Sequence, residues 1–397
     1  MTKASELRLA VVLSHPVQYY SPWFRWLTKE CGLTLRVFYL WDFGITQQRD
    51  PGFGAVIQWD VDLLSGYEHE FVPNRAAQPG TEHFWGLNNP TLTAQLGKWK
   101  PDAILMFGYR YATHLRVIAW ARRHDVPLIF RGDSHFIGRS GRGWKTMLVR
   151  LVYQKFAAFT YVGQANRDYF TTLGVPAARL FFAPHAVDAS FFNPANPDTQ
   201  HATERLRQEL NLAPSTRVVL FAGKLVPAKQ PRELLDAFLT LDIPHTALVI
   251  VGDGSELPAL RERAQSAKAG MVHFLPFANQ SEMPARYLLA DVFALPSRGL
   301  YETWGLAVNE AMHMGVPCLV SDRVGCQRDL VTDGETGWVF RTEDSAHLRE
   351  RLRDALTAEL APYKTRVAKR IASYTYRETS AGLLDALESL ERKPRIV

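Results

Sequence analysis

Short, near-continuous apolar runs, each followed by a helix-like stretch, recur along this chain, and that rhythm restricts its fold more than any other feature. In the first half the runs are Leu9 to Leu13, Leu33 to Phe38, Ala103 to Phe107, Leu128 to Phe130, Phe159 to Val162 and Leu180 to Ala183. In the second half they are Val218 to Ala222, Ala247 to Val251, Val272 to Leu275, Val292 to Leu295, Cys318 to Val320 and Trp338 to Phe340. Arg232 to Leu241 and Glu256 to Lys268 read as helices between them. Strands that are apolar along their whole length are buried on both faces, the condition of a parallel sheet covered by helices. The rhythm predicts an α/β chain of two Rossmann-like domains. Asp188 to Thr199, with Pro194 and Pro197 among short polar residues, interrupts it as a linker. The expected organisation is a first domain at 1–187, a hinge at 188–200, a second domain at 201–375 and a terminal segment at 376–397. In that last segment Leu383, Leu384, Leu387 and Leu390 have helical spacing.

At 397 residues, each half is long enough to bury its own core. No run of 18 or more apolar residues occurs, and Met1 to Glu6 lead into a strand without a signal-peptide core, so a cytoplasmic protein is expected. Cys31, Cys318 and Cys326 are too few and too scattered for a disulfide framework or a zinc site. A net charge of +6 favours anionic ligands such as nucleotide diphosphates, or the inner face of an anionic membrane. The excess is too modest to argue for nucleic acid.

In parallel sheets ligands sit beyond the carboxyl ends of the strands, so the loops there are where chemistry is sought. After Val292 to Leu295, a loop carries Glu302-Thr303-Trp304-Gly305-Leu306, and the helix that opens near Gly305 directs free N–H groups outward as an anion site. Glu302 stands in front of that start, and Glu310 lies more than one turn inside, where a carboxylate can accept two vicinal hydroxyls. Such a layout suits a sugar nucleotide. After Val218 to Ala222 come Gly223, Lys224 and Lys229, two cations placed to neutralise a departing diphosphate, or else two solvated surface lysines.

The first half offers weaker signals. Arg131-Gly132-Asp133-Ser134-His135 follows a strand and makes His135 a candidate, with Asp133 or Arg131 as the alternative contact. His15, Gln18 and Tyr19 after the first strand are candidates for an acceptor hydroxyl, the alternative being a tight turn packed by Pro16 and the aromatics. Eight of the ten tryptophans fall in this half, most expected in the core, and the aperiodic stretch Asn74 to Pro90 is the candidate acceptor loop. Near 139–159, Trp144, Met147, Leu148, Leu151 and Val152 have helical spacing beside Arg142, Lys145, Arg150 and Lys155. This pattern fits peripheral contact with an anionic membrane, but an ordinary helix with its apolar stripe in the core is the favoured expectation. Asp60-Val61-Asp62 has the spelling of a metal-binding pair but lacks the surrounding context, and no metal site is expected.

The segment from Glu302 to Glu310 resembles the Glu-x7-Glu signature of glycosyltransferase family 4, the retaining GT-B enzymes also called glycosyl transferases group 1. Gly223-Lys224 to Lys229, Val249 to Gly254, Val272 to Phe277, Ser321 to Gly325 and Asp333 to Phe340 are similar to that family's elements in the same order. The resemblance covers roughly residues 180–390 and is much weaker before them. It implies a GT-B architecture, two Rossmann-like domains facing across a cleft, with the terminal helix crossing back to the first. It also implies a retaining transfer of a hexosyl-type unit from a nucleotide-diphosphate sugar, UDP favoured and GDP the alternative, to an acceptor hydroxyl of a glycan, glycolipid or small metabolite. Neither a cofactor nor a required metal is implied.

By this resemblance Glu302 orients sugar hydroxyls, Glu310 grips the ribose, Phe277 borders the base and His135 faces the donor sugar. Lys224, Lys229 and the N–H groups at Gly305 and Leu306 hold the leaving diphosphate, and Gly223, Thr303 and Trp304 complete the donor loops. The chain departs from the pattern at Lys224, usually arginine, at Gln230, usually glycine, and at the first loop, often glycine-rich. Three rival readings are a nucleotide-sugar epimerase of the same fold, a non-catalytic sugar-nucleotide binder and a basic interaction protein. An acid/base pair of a glycosidase is less economical beside the phosphate-binding features.

Overall fold

The computed structural model describes residues 7–45, 48–49, 56–137, 143–268, 270–299 and 302–391. Two compact units emerge, one comprising Ile57–Pro184 with the chain leading up to Gln48 and the chain from Tyr376 onward, the other built on His185–Thr375.

The first unit is built on seven strands: β1 (Arg8–Leu13), β2 (Thr34–Tyr39), β3 (Glu68–Phe71), β4 (Ala103–Phe107), β5 (Leu128–Arg131), β6 (Ala158–Tyr161) and β7 (Leu180–Phe182). Their order is β3-β2-β1-β4-β5-β6-β7, and every neighbouring pair is parallel. Leu9 to Val12 and Ala103 to Met106 are fully buried, as strands covered on both faces must be. β3 was not expected. Its Glu68 and His69 are exposed because it is an edge strand, held partly by Arg36 pairing with Glu68 at 2.9 Å, and it carries no apolar run to read.

The terminal helix Tyr376–Glu391 packs in this unit against β6 and β7. The Trp23 indole N–H donates to Ser380 Oγ at 3.1 Å, and the Thr379 hydroxyl donates to the Pro184 carbonyl at 2.8 Å. Arg131, fully buried, donates to the carbonyls of Ala183 (2.9 Å) and Pro184 (3.4 Å) beneath the Trp23 ring. That arginine is thus an internal clamp between β5 and the chain leaving β7.

The second unit holds six strands: β8 (Arg217–Ala222), β9 (Thr246–Val251), β10 (Val272–Leu275), β11 (Val292–Leu295), β12 (Cys318–Ser321) and β13 (Gly337–Phe340). They run parallel in the order β10-β9-β8-β11-β12-β13. The strand order reverses between β8 and β11, paired Val219 to Val292 and Leu220 to Phe293. A crevice beyond the carboxyl ends at such a switch is where this architecture binds ligands.

Two details differ from the sequence expectation. Segment 188–200, read as a hinge, lies in the second unit, where the Asp188 carboxylate accepts the N–H groups of Ser190 (2.9 Å) and Phe191 (3.3 Å). Asn196 then caps the helix Pro197–Glu209, so the prolines and short polar residues mark a turn and a helix start. The helix expected over Glu256 to Lys268 is shorter, spanning Leu257–Ala264.

Candidate functional site

Apart from Glu310, one turn inside a helix, the second-unit residues singled out from the sequence lie on loops or helix starts that follow the carboxyl ends of β8, β10 and β11. From β8 the chain passes Gly223 and the half-buried Lys224 into a 3-10 turn, Pro227–Lys229. Gln230 then adopts the left-handed conformation at φ +53° before Pro231 opens the next helix. Only glycine takes that conformation without a steric penalty, which explains why glutamine here is a departure from the family pattern. Arg298, from the loop after β11, donates its backbone N–H to the Ala228 carbonyl (2.9 Å) and its guanidinium to the Pro227 carbonyl (3.2 Å). This clasp holds the Lys229 turn against the β11 loop.

The clasp brings together two residues that are 73 positions apart. The Lys229 ammonium forms an ion pair with the Glu302 carboxylate, which also accepts the Ser297 hydroxyl at 2.9 Å. Neither partner is fully sealed from solvent, with side-chain exposures of 23% and 13%. The sequence reading assigned these two residues to different parts of a ligand, and Ser297 had not been singled out. Here the lysine neutralises the glutamate.

Glu302 and Thr303 are fixed from behind by the loop after β12. Gly325 donates to the Glu302 carbonyl (3.2 Å) and Cys326 to that of Trp304 (2.8 Å), while the Ser321 hydroxyl reaches the Ser297 carbonyl at 2.5 Å. Gly325 allows the approach, since a Cβ there would lie 1.9 Å from the Thr303 carbonyl oxygen. Leu300 and Tyr301 lie outside the described residues. Trp304 is buried, its indole N–H donating to Asn309 Oδ1 at 2.8 Å. Asn309 in turn donates to the His185 carbonyl at 3.1 Å.

Gly305, at φ +100°, turns the chain into the helix Leu306–His313. The first-turn N–H groups and the positive end of that helix face the carboxyl edge of the sheet. Glu310, one turn further, is 3% exposed and accepts the Tyr287 hydroxyl (2.7 Å) and the Gln280 amide (3.3 Å). Phe277 follows β10 and is half-buried. Tyr287, Gln280 and Arg298 carried no sequence signal, because their roles exist only through partners distant in the chain.

In the first unit, His135 sits past β5 and is buried rather than exposed in its loop, its Nδ1 accepting the Ile137 N–H at 3.1 Å. Asn166 anchors the same loop through the Ser134 carbonyl at 2.7 Å. His15 Nδ1 lies 3.0 Å from the Ser14 hydroxyl, and its ring meets Trp41 and Phe43 edge-on. Burial lowers its pKa to about 4, so it stays neutral at physiological pH. Gln18 and Tyr19 are half-buried beside it, the Tyr19 carbonyl accepting the Tyr376 hydroxyl at 3.2 Å. Asp62 of the Asp60-Val61-Asp62 stretch caps a turn, accepting the Ser65 hydroxyl and the Leu64 N–H and pairing with Arg25. Asn74 braces the loop 74–90 through Gly86 and Asn88.

This two-unit α/β fold has many relatives. The family model described as glycosyl transferases group 1 matches residues 202–377, and that of the glycosyl transferase 4-like domain matches residues 45–185. This chain belongs to glycosyltransferase family 4, of the GT-B fold.

Among relatives, the GDP-mannose-dependent alpha-(1-6)-phosphatidylinositol monomannoside mannosyltransferase of Mycolicibacterium smegmatis is 32% identical over 265 residues, 64% of either chain. The D-inositol 3-phosphate glycosyltransferase of Jonesia denitrificans is 32% identical over 183 residues, 44% of this chain and 42% of that one. The chain thus spans less than two-thirds of the length of these relatives. Its fold is similar to that of Anabaena Alr3699/HepE in complex with UDP and glucose, with a TM-score of 0.71 and 17% identity over 97% of this chain and 100% of that one. A glycosyltransferase from Rickettsia africae gives a TM-score of 0.74 at 14% identity, over 98% and 99% of the two chains.

Proposed function

We propose that this chain transfers a glycosyl unit from a nucleotide-diphosphate sugar to an acceptor hydroxyl with retention of anomeric configuration. The observation that carries the proposal is the Lys229–Glu302–Ser297 cluster in front of the Gly305 helix start, with Glu310 one turn behind it. Lys229 exchanges Glu302 for the donor diphosphate, and Lys224 and the N–H groups of Gly305 and Leu306 add further positive potential. The bond from the anomeric carbon to the phosphate oxygen breaks as the bond to the acceptor oxygen forms on the same face. The proton of the acceptor hydroxyl passes to the departing phosphate oxygen. Glu302, released from Lys229, accepts sugar hydroxyls, and Glu310 accepts those of the ribose. Phe277 borders the base, with Gly223, Thr303 and Trp304 shaping the loops.

The lysines and the helix start supply the charge that a metal supplies elsewhere, which supports a metal-independent reaction. His135, and His15, Gln18 and Tyr19 as acceptor contacts, are proposed contributions of the first unit. The acceptor is a hydroxyl of a glycan, glycolipid or small metabolite.

For the base, the Mycolicibacterium relative is GDP-mannose-dependent and the Anabaena structure is a complex with UDP, so the donor is a GDP- or UDP-sugar. Melting temperatures with UDP, GDP, ADP, dTDP and CDP, in chelator and then with magnesium, test the donor site. Stabilisation by one diphosphate in chelator is expected. No response to any diphosphate or intact sugar nucleotide would discard the donor site, and a response only with magnesium would discard metal independence.

A further inference from the structure

The helix Trp144–Tyr153 in the first unit does not bury the stripe expected of it. Its core-facing side is Val149, Val152 and Tyr153, continued by Phe156, all packed into the aromatic cluster around Phe130, Phe159 and Phe170. The other side carries Trp144 (67% exposed), Met147 (59%), Leu148 (48%) and Leu151 (49%). These four occupy i, i+3, i+4 and i+7, a continuous apolar face turned to solvent. Four large apolar side chains on one exposed helix face exceed the scattered surface hydrophobes of a soluble domain.

The charge carried by the helix itself has one sign. Lys145 and Arg150 stand on its two sides, the Lys145 ammonium lying 5.8 Å from the centre of the Trp144 ring, and Lys155 is exposed at the helix end. Between Asp133 and Asp168 the sequence contains Arg139, Arg142, Lys145, Arg150, Lys155 and Arg167 and no further aspartate or glutamate. A protein partner of mixed charge does not select for a stretch without a single carboxylate. A sheet of anionic headgroups over hydrocarbon complements both features. The apolar face enters the acyl boundary, tryptophan sits at headgroup depth, and lysine and arginine remain among the phosphates.

We propose that Trp144, Met147, Leu148 and Leu151, with Lys145, Arg150 and Lys155, dock this unit on an anionic lipid bilayer. The helix lies in the interface plane and does not span it, since among the described residues no helix is long and apolar enough to cross a membrane. The docking surface is built from first-unit residues alone and does not depend on the donor's identity.

The test is co-sedimentation of the full chain with vesicles of phosphatidylcholine, alone and with about one-third phosphatidylglycerol, at low and high salt. Two double variants accompany the wild type: Trp144→Ser with Leu148→Ser, and Lys145→Glu with Lys155→Glu. All substituted side chains are exposed, and an unchanged melting temperature verifies folding. The wild type should bind the anionic vesicles, release at high salt and leave pure phosphatidylcholine vesicles in solution. Each variant should partition about tenfold less or weaker. Failure of the folded wild type to bind, or equal binding by both variants, would overturn the proposal. So would a wild-type dimer without vesicle affinity that the Trp144→Ser, Leu148→Ser variant dissociates, because the face would then be a contact between copies.

Discussion

At the scale of single residues, Lys229 and Glu310 should fail in different ways. Lys229→Ala removes the cation proposed to meet the leaving diphosphate and should lower kcat by about a hundredfold, with a smaller effect on donor affinity. Glu310→Ala removes the carboxylate proposed to accept the ribose hydroxyls and should weaken nucleotide binding by roughly tenfold. Steady-state kinetics and calorimetric titration separate the two, and ordinary values for both variants would remove the assignment. Histidines govern a second effect. Burial lowers the pKa of His114 to about 3 and that of His15 to about 4, against 6.5 for the free side chain. Both remain neutral in the folded chain while the unfolded chain takes up protons. Stability is therefore fully present above pH 6.5 and falls on acidification towards pH 4, by about 1.4 kcal/mol per pH unit for each histidine. Urea midpoints at pH 7.5 and 5 should show the loss, and His114→Leu should flatten it.

Among elements, the helix start at Gly305 is the most tightly specified. At φ +100°, with Leu295 and Val324 side chains 3.0 Å from where a Cβ would stand, alanine is strained in both backbone and packing. Gly305→Ala should cost about 1–3 kcal/mol in chemical denaturation and weaken nucleotide diphosphate binding by turning the first-turn N–H groups away. Normal affinity in a folded Gly305→Ala protein would show that the helix start does not hold the ligand. The terminal helix offers a similar test at Gly382, where a Cβ would lie 1.8 Å from the Phe182 carbonyl oxygen. Gly382→Val should push that helix off β7, exposing Leu383 and Leu387 and lowering the melting temperature.

For the whole molecule, the two units have separate sheets and separate cores, one around Phe130 and Phe159, the other around Phe221, Phe238 and Leu352. Hydrogen exchange with bound nucleotide diphosphate should therefore slow in peptides covering 223–230 and 302–310, while the β1 and β4 peptides of the first core stay unchanged. Protection confined to the first unit would relocate the donor site.

Twelve of the thirteen strands in the two large sheets were legible in sequence because each carries an apolar run, and β3 escaped because its Glu-His-Glu-Phe, half of it exposed at a sheet edge, carries none. The convergence of the candidate residues on one edge of the second sheet was legible for a related reason. Parallel strands bring all their carboxyl ends to one side, so residues just past the apolar runs had to converge there. Sequence spacing could not show that Lys229 pairs with Glu302, that Ser297 completes the pair, or that Tyr287 and Gln280 hold Glu310. Those contacts depend on how strands far apart in the chain are laid side by side. Nor could periodicity decide the helix Trp144–Tyr153: it locates an apolar stripe, but only tertiary packing determines whether another element covers it. The core there was filled by Val149, Val152 and Tyr153, and the stronger stripe was left facing out.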